Sequence, residues 1–337
     1  MKKVKLGIVG CGAVTQEYHL PASKYATNVE IVALVDTNPC FSEIARKNKI
    51  PIFCDDYREI FDLVDGVLIA LPHNLHASVA IDFLKESIPV LCEKPMATSA
   101  KEAKAMLEAS QKFNTPLAIG FMRRFYESSK NVKKAIISGV LGRICSFDFE
   151  EGSIYSWRTS SGFYFNKQSA GGGVLVDTGS HALDLLMWWL GSSIGHVKYK
   201  DDNLGGIEAN CILELSISSE NNNVQGRVEL SRDRVLRNSY RIFGTNGWLE
   251  YFLSDTENIS LHRNEANADK YLAGNLTRPR NIFYYFAAQL CDFGLTIAHL
   301  KKPRVDGTLP SEALKLMETC YSCREPIDMP WITSGFV

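Results

Sequence analysis

Short apolar runs alternate with helical patterns over the first 120 residues, and this alternation constrains the fold more than any other feature of the chain. The runs read KVKLGIVG, VEIVALVD, GVLIALP, PVLCEKP and PLAIGFM. Strands that are apolar at consecutive positions are typical of a parallel sheet covered by helices on both faces. The sequence therefore predicts a doubly wound α/β domain.

Beyond residue 122 the pattern changes to longer strands with few helices between them. The strands read RICSFDFEEGS, GIEANCILELSIS, NVQGRVELS, SYRIFGT and GWLEYFL, and turn signals such as SENNN and GTNG separate them. Such a series indicates an antiparallel or mixed sheet. Helical patterns return at 281–300 and 310–325. We therefore predict two domains, residues 1–122 and residues 123–337, the second an α+β domain with a large, mostly antiparallel or mixed open sheet.

Composition excludes several classes of partner. The 337 residues carry 37 basic and 38 acidic side chains, so no net field favours nucleic acid or an anionic membrane. No window approaches the roughly 18 apolar residues that a membrane helix needs, and the N-terminal apolar run is too short for a signal peptide. Nine cysteines, an odd number, suit reduced thiols in a cytoplasmic protein. Cys320 and Cys323 form a single C-x-x-C without a second pair of ligands, so we expect no metal site.

The first strand leads directly into a glycine-rich turn. In GIVGCGAVT, residues Gly10, Gly12 and Thr15 occupy the frame G-x-G-x-x-G. Glycine at the first two positions permits a tight turn and close approach of a pyrophosphate, to which the following helix N-terminus, at Ala13 and Val14, donates N–H groups. Threonine at the third position is expected to loosen helix–strand packing slightly. The motif predicts a dinucleotide-binding Rossmann domain, although an ordinary strand-to-helix turn has the same local pattern.

Asp36 closes the second strand, 21 residues past Thr15. A carboxylate at this point can accept hydrogen bonds from both ribose hydroxyls of an adenosine and repels a 2′-phosphate. This favours NAD over NADP. The alternative is an aspartate that caps the turn before Pro39.

Two further motifs follow the third and fourth strands of the alternation, ALPHNLHASVA and VLCEKPMATSA. Ligands of open parallel sheets bind at the carboxyl ends of the strands, so both motifs are expected to face the cofactor crevice. A cis peptide before the proline of E-K-P would aim the lysine inward. The residues concerned are Pro72, His73, His76, Glu93, Lys94 and Pro95.

Five motifs in order connect the chain to a known family: GIVGCG, the P-x-x-x-H of Pro72 and His76, EKP, GFMRRF and GGGVLVDTGSHALD. Over nearly its whole length the chain resembles the glucose–fructose oxidoreductase, inositol dehydrogenase and rhizopine catabolism family of NAD(P)-dependent oxidoreductases. The resemblance implies action on CH–OH groups of sugars or polyols. His73 stands where the family often has asparagine, which affects a cofactor contact and not the class.

The resemblance also implies that Lys94, Asp177 and His181 converge beside the nicotinamide. Oxidation of a secondary alcohol needs a base for the hydroxyl proton and a cation beside the developing alkoxide. Histidine suits the first role, and lysine suits the second or relays the proton. Asp177, one helical turn before His181, can orient the imidazole or bind a substrate hydroxyl. The sequence leaves open which of Lys94 and His181 takes the proton. Taken singly, each of the three residues also has a structural explanation: Asp177 as a helix cap, His181 as a core histidine and Lys94 as a surface lysine.

Several other residues are candidates for the substrate site. Arg124 in GFMRRF is expected to reach substrate hydroxyls, as the matching arginine does in some relatives, with a solvent-facing Arg123 as the competing assignment. Trp157, with Tyr155 and Arg158, lines either the sugar site or an edge of the core.

The segment around the D-x-G-x-H motif adds two more expectations. The glycines at 171–173 are expected to leave room for a substrate or nicotinamide. Asp184 follows Asp177 on the same helix pattern and either forms a helix salt bridge or orients a neighbour.

The run RVELSRDRVLRNSYR is rich in arginine near the predicted strand ends. Such a cluster could hold a phosphate or nucleotide on the substrate. A solvated sheet face with cross-strand ion pairs explains the same spacing. The residues are Arg227, Arg232, Arg234, Arg237 and Arg241.

The leading hypothesis is an NAD-dependent dehydrogenase acting on a ring hydroxyl of a sugar, sugar derivative or cyclitol. An NAD-dependent glycosidase of the same superfamily needs the same groups for its early steps, and the motifs do not separate the two. A non-catalytic NAD(P)-sensing regulator is the third alternative, and the presence of Lys94, Asp177 and His181 counts against it. Apolar side chains on both sides of CILELSIS and GWLEYFL predict a homodimer or homotetramer through the C-terminal sheet.

Overall fold

The computed structural model describes residues 2–157, 162–203, 206–219, 222–264, 270–272, 281–299 and 301–327. Within these ranges no helix is both long and apolar enough to cross a membrane. The same ranges contain no cluster of three or more His, Cys, Asp or Glu side chains that could hold a metal ion. All nine cysteines lie in them as free thiols.

Six parallel strands form the first sheet, in the order β3-β2-β1-β4-β5-β6, which confirms the doubly wound expectation. The order reverses between β1 and β4, and crevices at such switch points bind ligands in open α/β sheets. The sequence pattern missed β3, because three half-buried residues are too few to show an apolar run. The strands are β1 Val4–Val9, β2 Val29–Val35, β3 Ile52–Cys54, β4 Gly66–Ile69, β5 Val90–Cys92 and β6 Leu117–Ile119.

The helices of this region include one irregular element, a wide π-helical turn over Thr15–His19 that follows the glycine turn. Pro21 explains it, because proline cannot donate to the carbonyl four residues earlier and its ring crowds that carbonyl. Ser99 caps α4, its hydroxyl accepting from the Glu102 N–H at 3.2 Å. The helices are α1 Leu20–Ser23, α2 Ser42–Lys47, α3 His73–Lys85 and α4 Ala100–Lys112.

Nine strands form the second sheet, in the order β14-β13-β12-β11-β7-β10-β9-β8-β15. The pairs β7–β10 and β8–β15 are parallel and the others antiparallel, so the sheet is mixed. The sequence pattern missed β8, β13, β14 and β15, which all lie toward the sheet edges. The strands are β7 Ile144–Gly152, β8 Ile194–Asp201, β9 Asn210–Ser219, β10 Asn222–Ser231, β11 Ser239–Gly244, β12 Gly247–Phe252, β13 Ile259–Arg263, β14 Lys270–Leu272 and β15 Arg324–Pro326.

One face of the second sheet packs on helix α7, the helix predicted from the D-x-G-x-H segment. Trp189 of this helix contacts Tyr251 with ring centroids 5.3 Å apart, and Phe149 stacks on Tyr240 at 4.2 Å. These buried rings fix α7 on the sheet. The helices of this part of the chain are α5 Glu127–Ile137, α6 Lys167–Ala170, α7 Val174–Leu190, α8 Phe283–His299 and α9 Thr308–Ser322.

Helix α8 packs on the first sheet although it follows eight of the nine strands of the second sheet in the chain. Its apolar face, with Phe286, Leu290 and Phe293, belongs to the same buried cluster as Leu6 and Ile8 of β1. Packing across residue 122 is therefore continuous, and the predicted domain boundary there stays a prediction.

Candidate active site

A cavity of about 1370 Å³ opens at the carboxyl ends of β1, β2, β4 and β5 and extends to α7 and the end of β10. Sequence-distant residues therefore meet in one place. All ten residues predicted to bind the cofactor line it, and so do Trp157, Asp177 and His181. The ten are Gly10, Gly12, Ala13, Val14, Asp36, Pro72, His73, His76, Glu93 and Lys94.

The glycine turn is sterically required. Gly10 has φ +100°, and a Cβ there would lie 2.3 Å from the carbonyl oxygen of Ala70. No L-residue fits that position without backbone movement. The buried Thr15 hydroxyl donates to the Gly10 carbonyl at 2.6 Å, so threonine at the third motif position ties the helix to the turn. The expected loosening is therefore offset by a hydrogen bond.

Asp36 lies just past β2 with both carboxylate oxygens oriented by backbone donors. Oδ2 accepts from the Cys11 N–H at 2.8 Å, and Oδ1 accepts from the Asn38 N–H at 2.9 Å. Each carboxylate oxygen can accept a further hydrogen bond. The glycine turn and this half-buried carboxylate thus fit a dinucleotide whose ribose bears two hydroxyls.

The two histidines of α3 are buried and neutral. The ring nitrogen Nδ1 of His73 lies 2.8 Å from the Ala170 carbonyl, and burial lowers its pKa to about 3. His76 lies between the carbonyls of Pro95 and Leu71, at 2.8 and 2.9 Å, and burial lowers its pKa as well. A neutral imidazole has one N–H and donates to one of the two. The His76 ring thus lies between the E-K-P segment and the residues that follow β4.

Glu93 contacts a partner that sequence reasoning missed. His19, at the end of the π-helical turn, places Nε2 2.8 Å from Glu93 Oε1, and both side chains are buried. A Cβ at Gly120 would lie 2.9 Å from the carboxylate carbon of Glu93. Glycine in GFMRRF therefore makes room for this carboxylate, which no local pattern would reveal.

Lys94 and Asp177 form the central contact of the site. The Lys94–Pro95 peptide is cis, and Lys94 Nζ donates to Asp177 Oδ1 at 2.8 Å and to the Asp177 carbonyl at 3.1 Å. Arg232 Nη2 lies 3.4 Å from the other carboxylate oxygen. Burial opposes ionisation of Asp177, but the two cations prevail and lower its pKa. Asp177 is therefore a carboxylate at neutral pH.

His181 lies one turn further along α7, as predicted. Its ring packs edge-on against Phe121, with centroids 5.6 Å apart. Nδ1 is buried and has no hydrogen-bond partner among the residues that the structure describes. Burial, helped by the charges of Arg123 and Lys94, lowers the pKa of His181 well below its ordinary value. The imidazole is neutral.

Asp177 does not orient His181, contrary to one of the two roles expected from the sequence. Its carboxylate faces the cations of Lys94 and Arg232. The physical reason is that hydrogen bonds between ionised partners are stronger than those to a neutral imidazole.

The glycines before α7 accommodate protein and not a ligand, so the expectation that they leave room for one is wrong. A Cβ at Gly172 would lie 2.1 Å from the Tyr321 hydroxyl, and one at Gly173 would lie 2.0 Å from the Glu208 carbonyl. Glu208 Oε1 accepts from the N–H groups of Gly173 and Leu175 at 2.9 and 3.0 Å, and from the Tyr321 hydroxyl at 2.8 Å. This buried carboxylate caps the helix that carries Asp177.

Arg124 does not line the cavity, so its assignment to the substrate is wrong. Its guanidinium makes two bonds to the Asp184 carboxylate, at 2.7 and 2.5 Å, and both side chains are buried. Asp184 is thus the salt-bridge partner. Arg123 is not solvent-facing either, since Glu151 binds it in a similar forked contact at 2.8 and 2.7 Å. The tight turn over Met122–Phe125 directs both arginines into protein.

Aromatic rings line the rest of the wall. Trp157 stacks on Tyr18 with centroids 5.5 Å apart, and the ring of Tyr155 lies under the Arg232 guanidinium at 5.4 Å. Tyr164 also lines the cavity. Arg158, named with this segment, lies outside the described residues.

The arginine-rich run is mostly a face of ion pairs. Arg237 binds Asp148 at 2.9 Å and Glu150 at 2.8 Å, while Arg241 binds Glu250 at 2.8 Å. Arg227 and Arg234 both pair with Glu229, at 2.6 and 3.2 Å. Arg232 is different, because it lines the cavity. Its position directly after the end of β10 is the signal that could have separated it.

The chain matches both sequence models of one family. Residues 4–121 match the GFO/IDH/MocA oxidoreductase family with an NAD-binding Rossmann fold, and residues 129–250 match the GFO/IDH/MocA C-terminal domain. The protein is thus an oxidoreductase with an NAD-binding Rossmann domain. It belongs to the GFO/IDH/MocA family.

Two relatives agree with this assignment, and a solved structure shares the fold. The chain is 27% identical over 285 residues to the rhizopine catabolism protein MocA of Rhizobium meliloti, covering 81% of this chain and 86% of that one. It is 30% identical to the D-glucoside 3-dehydrogenase of Escherichia coli, over 56% of this chain and 54% of the relative. A levoglucosan dehydrogenase solved with NADH and levoglucosan shares the fold, with a TM-score of 0.86, 21% identity and coverage of 96% and 97%.

Proposed function

We propose that the protein is an NAD-dependent dehydrogenase that oxidises a secondary ring hydroxyl of a sugar, sugar derivative or cyclitol, or reduces the corresponding ketone. The observation that carries this proposal is the convergence of Lys94, Asp177 and His181 on the cavity that the glycine turn and Asp36 also line. The chemistry that NAD supplies when bound is acceptance of a hydride from the carbinol carbon.

The cofactor-holding roles follow from position in the cavity. The N–H groups after the glycine turn, at Ala13 and Val14, face a pyrophosphate, and Asp36 accepts from ribose hydroxyls. The ends of β4 and β5 hold the reactive end of the dinucleotide beside Lys94. The residues there are Pro72, His73, His76, Glu93 and Lys94.

In this proposal His181 accepts the hydroxyl proton. A general base must be unprotonated when it acts, and burial keeps the His181 imidazole neutral. Its place on α7, one turn beyond Asp177, brings it to the wall that Lys94 also lines. Proton acceptance by His181 leaves an oxyanion on the substrate that needs a cation nearby.

Lys94 supplies that cation. Asp177 holds the Lys94 ammonium at 2.8 Å, and the fixed charge stabilises the developing oxyanion without reorganisation. Arg232 on the opposite oxygen of Asp177 keeps that carboxylate ionised. Lys94, Asp177 and Arg232 thus form a pre-oriented polar cluster where the cavity meets α7 and the end of β10.

The test is NADH formation from NAD⁺ across a panel of free sugars, inositols, phosphosugars and UDP-sugars, with Lys94→Ala beside the wild-type protein. We expect at least one substrate class to react and Lys94→Ala to lower kcat by about 10³-fold or more, in the range of lost electrostatic and proton-transfer contributions. Lys85→Ala, at an exposed lysine on α3, is the matched control.

Calorimetry of NAD⁺ binding to each protein shows whether a loss of turnover is due to a loss of cofactor affinity. Full turnover by Lys94→Ala would contradict the role of the ammonium. If no compound in the panel reacts although NAD⁺ binds, the dehydrogenase proposal is contradicted. Hydrolysis of a nitrophenyl glycoside by the NAD⁺-bound protein would then assign the site to glycosidase chemistry.

A further inference from the structure

Arg232 is a buried cation with few partners. Its side chain is 9% exposed, and its one polar contact to a described side chain is Nη2 to Asp177 Oδ2, at 3.4 Å. Nε and Nη1 are buried and have no acceptor among the residues that the structure describes. The hydroxyl of Tyr155, whose ring lies 5.4 Å from the guanidinium, is also buried without a partner in the described chain.

The contact to Asp177 does not balance the charge of Arg232. The same carboxylate already accepts a shorter bond from Lys94, at 2.8 Å, so one anion lies between two cations. A buried guanidinium is costly unless ionised or hydrogen-bonded partners surround it. Arg232 lines the cavity, so a small rotation of its guanidinium would bring the unpaired donors to a ligand anion.

Other charged groups around the cavity do not supply Arg232 with a further partner. Burial keeps His73 and His181 neutral, and the Glu93 carboxylate contacts His19 and the Lys94 N–H. The acidic residues Asp36, Asp55 and Asp56 also line the cavity, but they follow β2 and β3, the strands at the other end of the sheet. Among the residues that the structure describes, Asp177 is therefore the one carboxylate that contacts Arg232.

We propose that Arg232 binds a carboxylate on the substrate, so that the preferred substrates are acidic sugars in which a ring carbon bears a carboxyl group. This inference rests on the proposed dehydrogenase function. A planar carboxylate matches the forked geometry of a guanidinium. It carries one negative charge, so Asp177 repels it less than a phosphate dianion. Arg232 is then a specificity-determining residue, while Lys94 and His181 carry the chemistry.

A competing role gives a different outcome. If Arg232 only positions Asp177, its loss lowers turnover of acidic and neutral sugars by the same factor. If it binds the substrate carboxylate, its loss acts on acidic sugars in particular. The ratio of kcat/KM for an acidic sugar to that for its neutral counterpart therefore separates the two roles.

The experiment compares glucose with glucuronate, galactose with galacturonate, and both with glucose 6-phosphate, using wild type, Arg232→Met and Arg232→Lys. We expect the wild-type protein to prefer the uronates by at least about 10-fold, and Arg232→Met to lower the uronate-to-neutral ratio by about 30-fold or more. Arg232→Lys should restore part of the ratio because it keeps the charge but not the fork. Arg234→Met, at a half-exposed neighbour on the same segment, is the control.

Equal losses on uronates and neutral sugars, or a wild-type preference for neutral sugars or for the phosphate ester, would overturn the inference. Calorimetry of glucuronate with the NADH-loaded protein provides a readout without turnover, in which wild type should bind and Arg232→Met should bind at least about 30-fold more weakly. Thermal unfolding of each variant shows whether a loss of activity or affinity is due to misfolding. If Arg232→Met is misfolded, Arg232→Lys is compared with the wild type instead. If neutral sugars react and uronates are not preferred, the dehydrogenase proposal stands and the inference about Arg232 fails. If no sugar reacts, the dehydrogenase proposal fails, and the calorimetric affinity for glucuronate decides whether Arg232 binds a carboxylate.

Discussion

At the scale of single residues, the ionisation states of the site follow from burial and from the placement of two cations. Asp177 stays ionised between Lys94 and Arg232, while His73 and His181 are neutral because their protonated forms are desolvated. The residue types were readable from the motifs, and their charge states were not, because burial and contacts between distant segments determine them.

The pH dependence of catalysis should reflect the lowered pKa of His181. In the proposed mechanism the neutral imidazole accepts the proton. It is the main form above the pKa of His181, which burial lowers well below 6.5. We therefore expect kcat/KM to show no acid limb near pH 6.5, with the loss displaced to lower pH. A pH profile of kcat/KM measures this, and a limb at pH 6.5 that disappears in His181→Asn would contradict the assignment.

Stability should also depend on pH through His73. Its pKa is about 3 in the folded protein and 6.5 in the unfolded chain, so at a pH between these values the unfolded chain binds one more proton than the folded protein. The free energy of unfolding should therefore fall as pH decreases from 6.5 toward 3, with His73 contributing about 1.4 kcal/mol per pH unit. Urea unfolding of wild type and His73→Asn measures the contribution, and identical pH slopes would contradict it.

Gly120 should be sensitive to a single methyl group. Alanine would place its Cβ 2.9 Å from the Glu93 carboxylate, which has to move away from His19. We expect Gly120→Ala to cost about 1–3 kcal/mol of stability and to weaken NAD⁺ binding in calorimetry. Gly206→Ala, where a Cβ meets no atom within 4 Å, is the control. Unchanged stability and cofactor affinity would show that the Glu93 site tolerates the shift.

At the scale of elements, the beginning of α7 positions the side chains that we propose to be catalytic. Glu208, in the segment before β9, caps the helix from a distance of more than thirty positions along the chain. The sequence predicted a helical pattern here, with Asp177 one turn before His181. It misassigned the glycines, because their neighbours Glu208 and Tyr321 are remote in sequence.

Removal of this cap should affect catalysis as well as stability. Glu208→Ala leaves the N–H groups of Gly173 and Leu175 without their acceptor, at a cost of about 1–3 kcal/mol. Because Asp177 lies in the first turn of α7, we expect kcat to fall more than KM rises. Glu208→Gln keeps an acceptor oxygen and should restore much of both. Steady-state kinetics with thermal unfolding tests this, and loss of stability with unchanged kcat would contradict the positioning role.

At the scale of the whole molecule, helix α8 joins the first sheet to the rest of the chain. Its apolar face closes the core beside β1, although more than 150 residues separate it from that sheet in sequence. A boundary at residue 122 could be proposed from the change of pattern alone. The packing of α8 on the first sheet could not be predicted, because an amphipathic pattern shows which face of a helix is buried and not which element covers that face.

Assembly also belongs to this scale, and we retain the prediction of a homodimer or homotetramer through the second sheet. The face of that sheet away from α7 carries Phe243 and Trp248 with centroids 6.0 Å apart, beside the ion pairs of Arg237 and Arg241. Sedimentation equilibrium of the wild type should give two or four subunits, and Trp248→Glu should dissociate them. A monomeric wild type would contradict this prediction.

The sequence by itself determined the doubly wound first sheet, the mixed second sheet and the set of predicted cofactor residues that the structure brings to one cavity. Each of these depends on local patterns: apolar strands, a glycine turn after a strand, and polar residues at strand ends. Only the tertiary structure decided that Arg124 is a buried partner of Asp184, that the glycines at 171–173 admit Glu208 and Tyr321, and that Arg232 faces the cavity. The physical reason is that these outcomes depend on which side chains from distant segments come into contact. Spacing along one strand or helix does not specify such contacts.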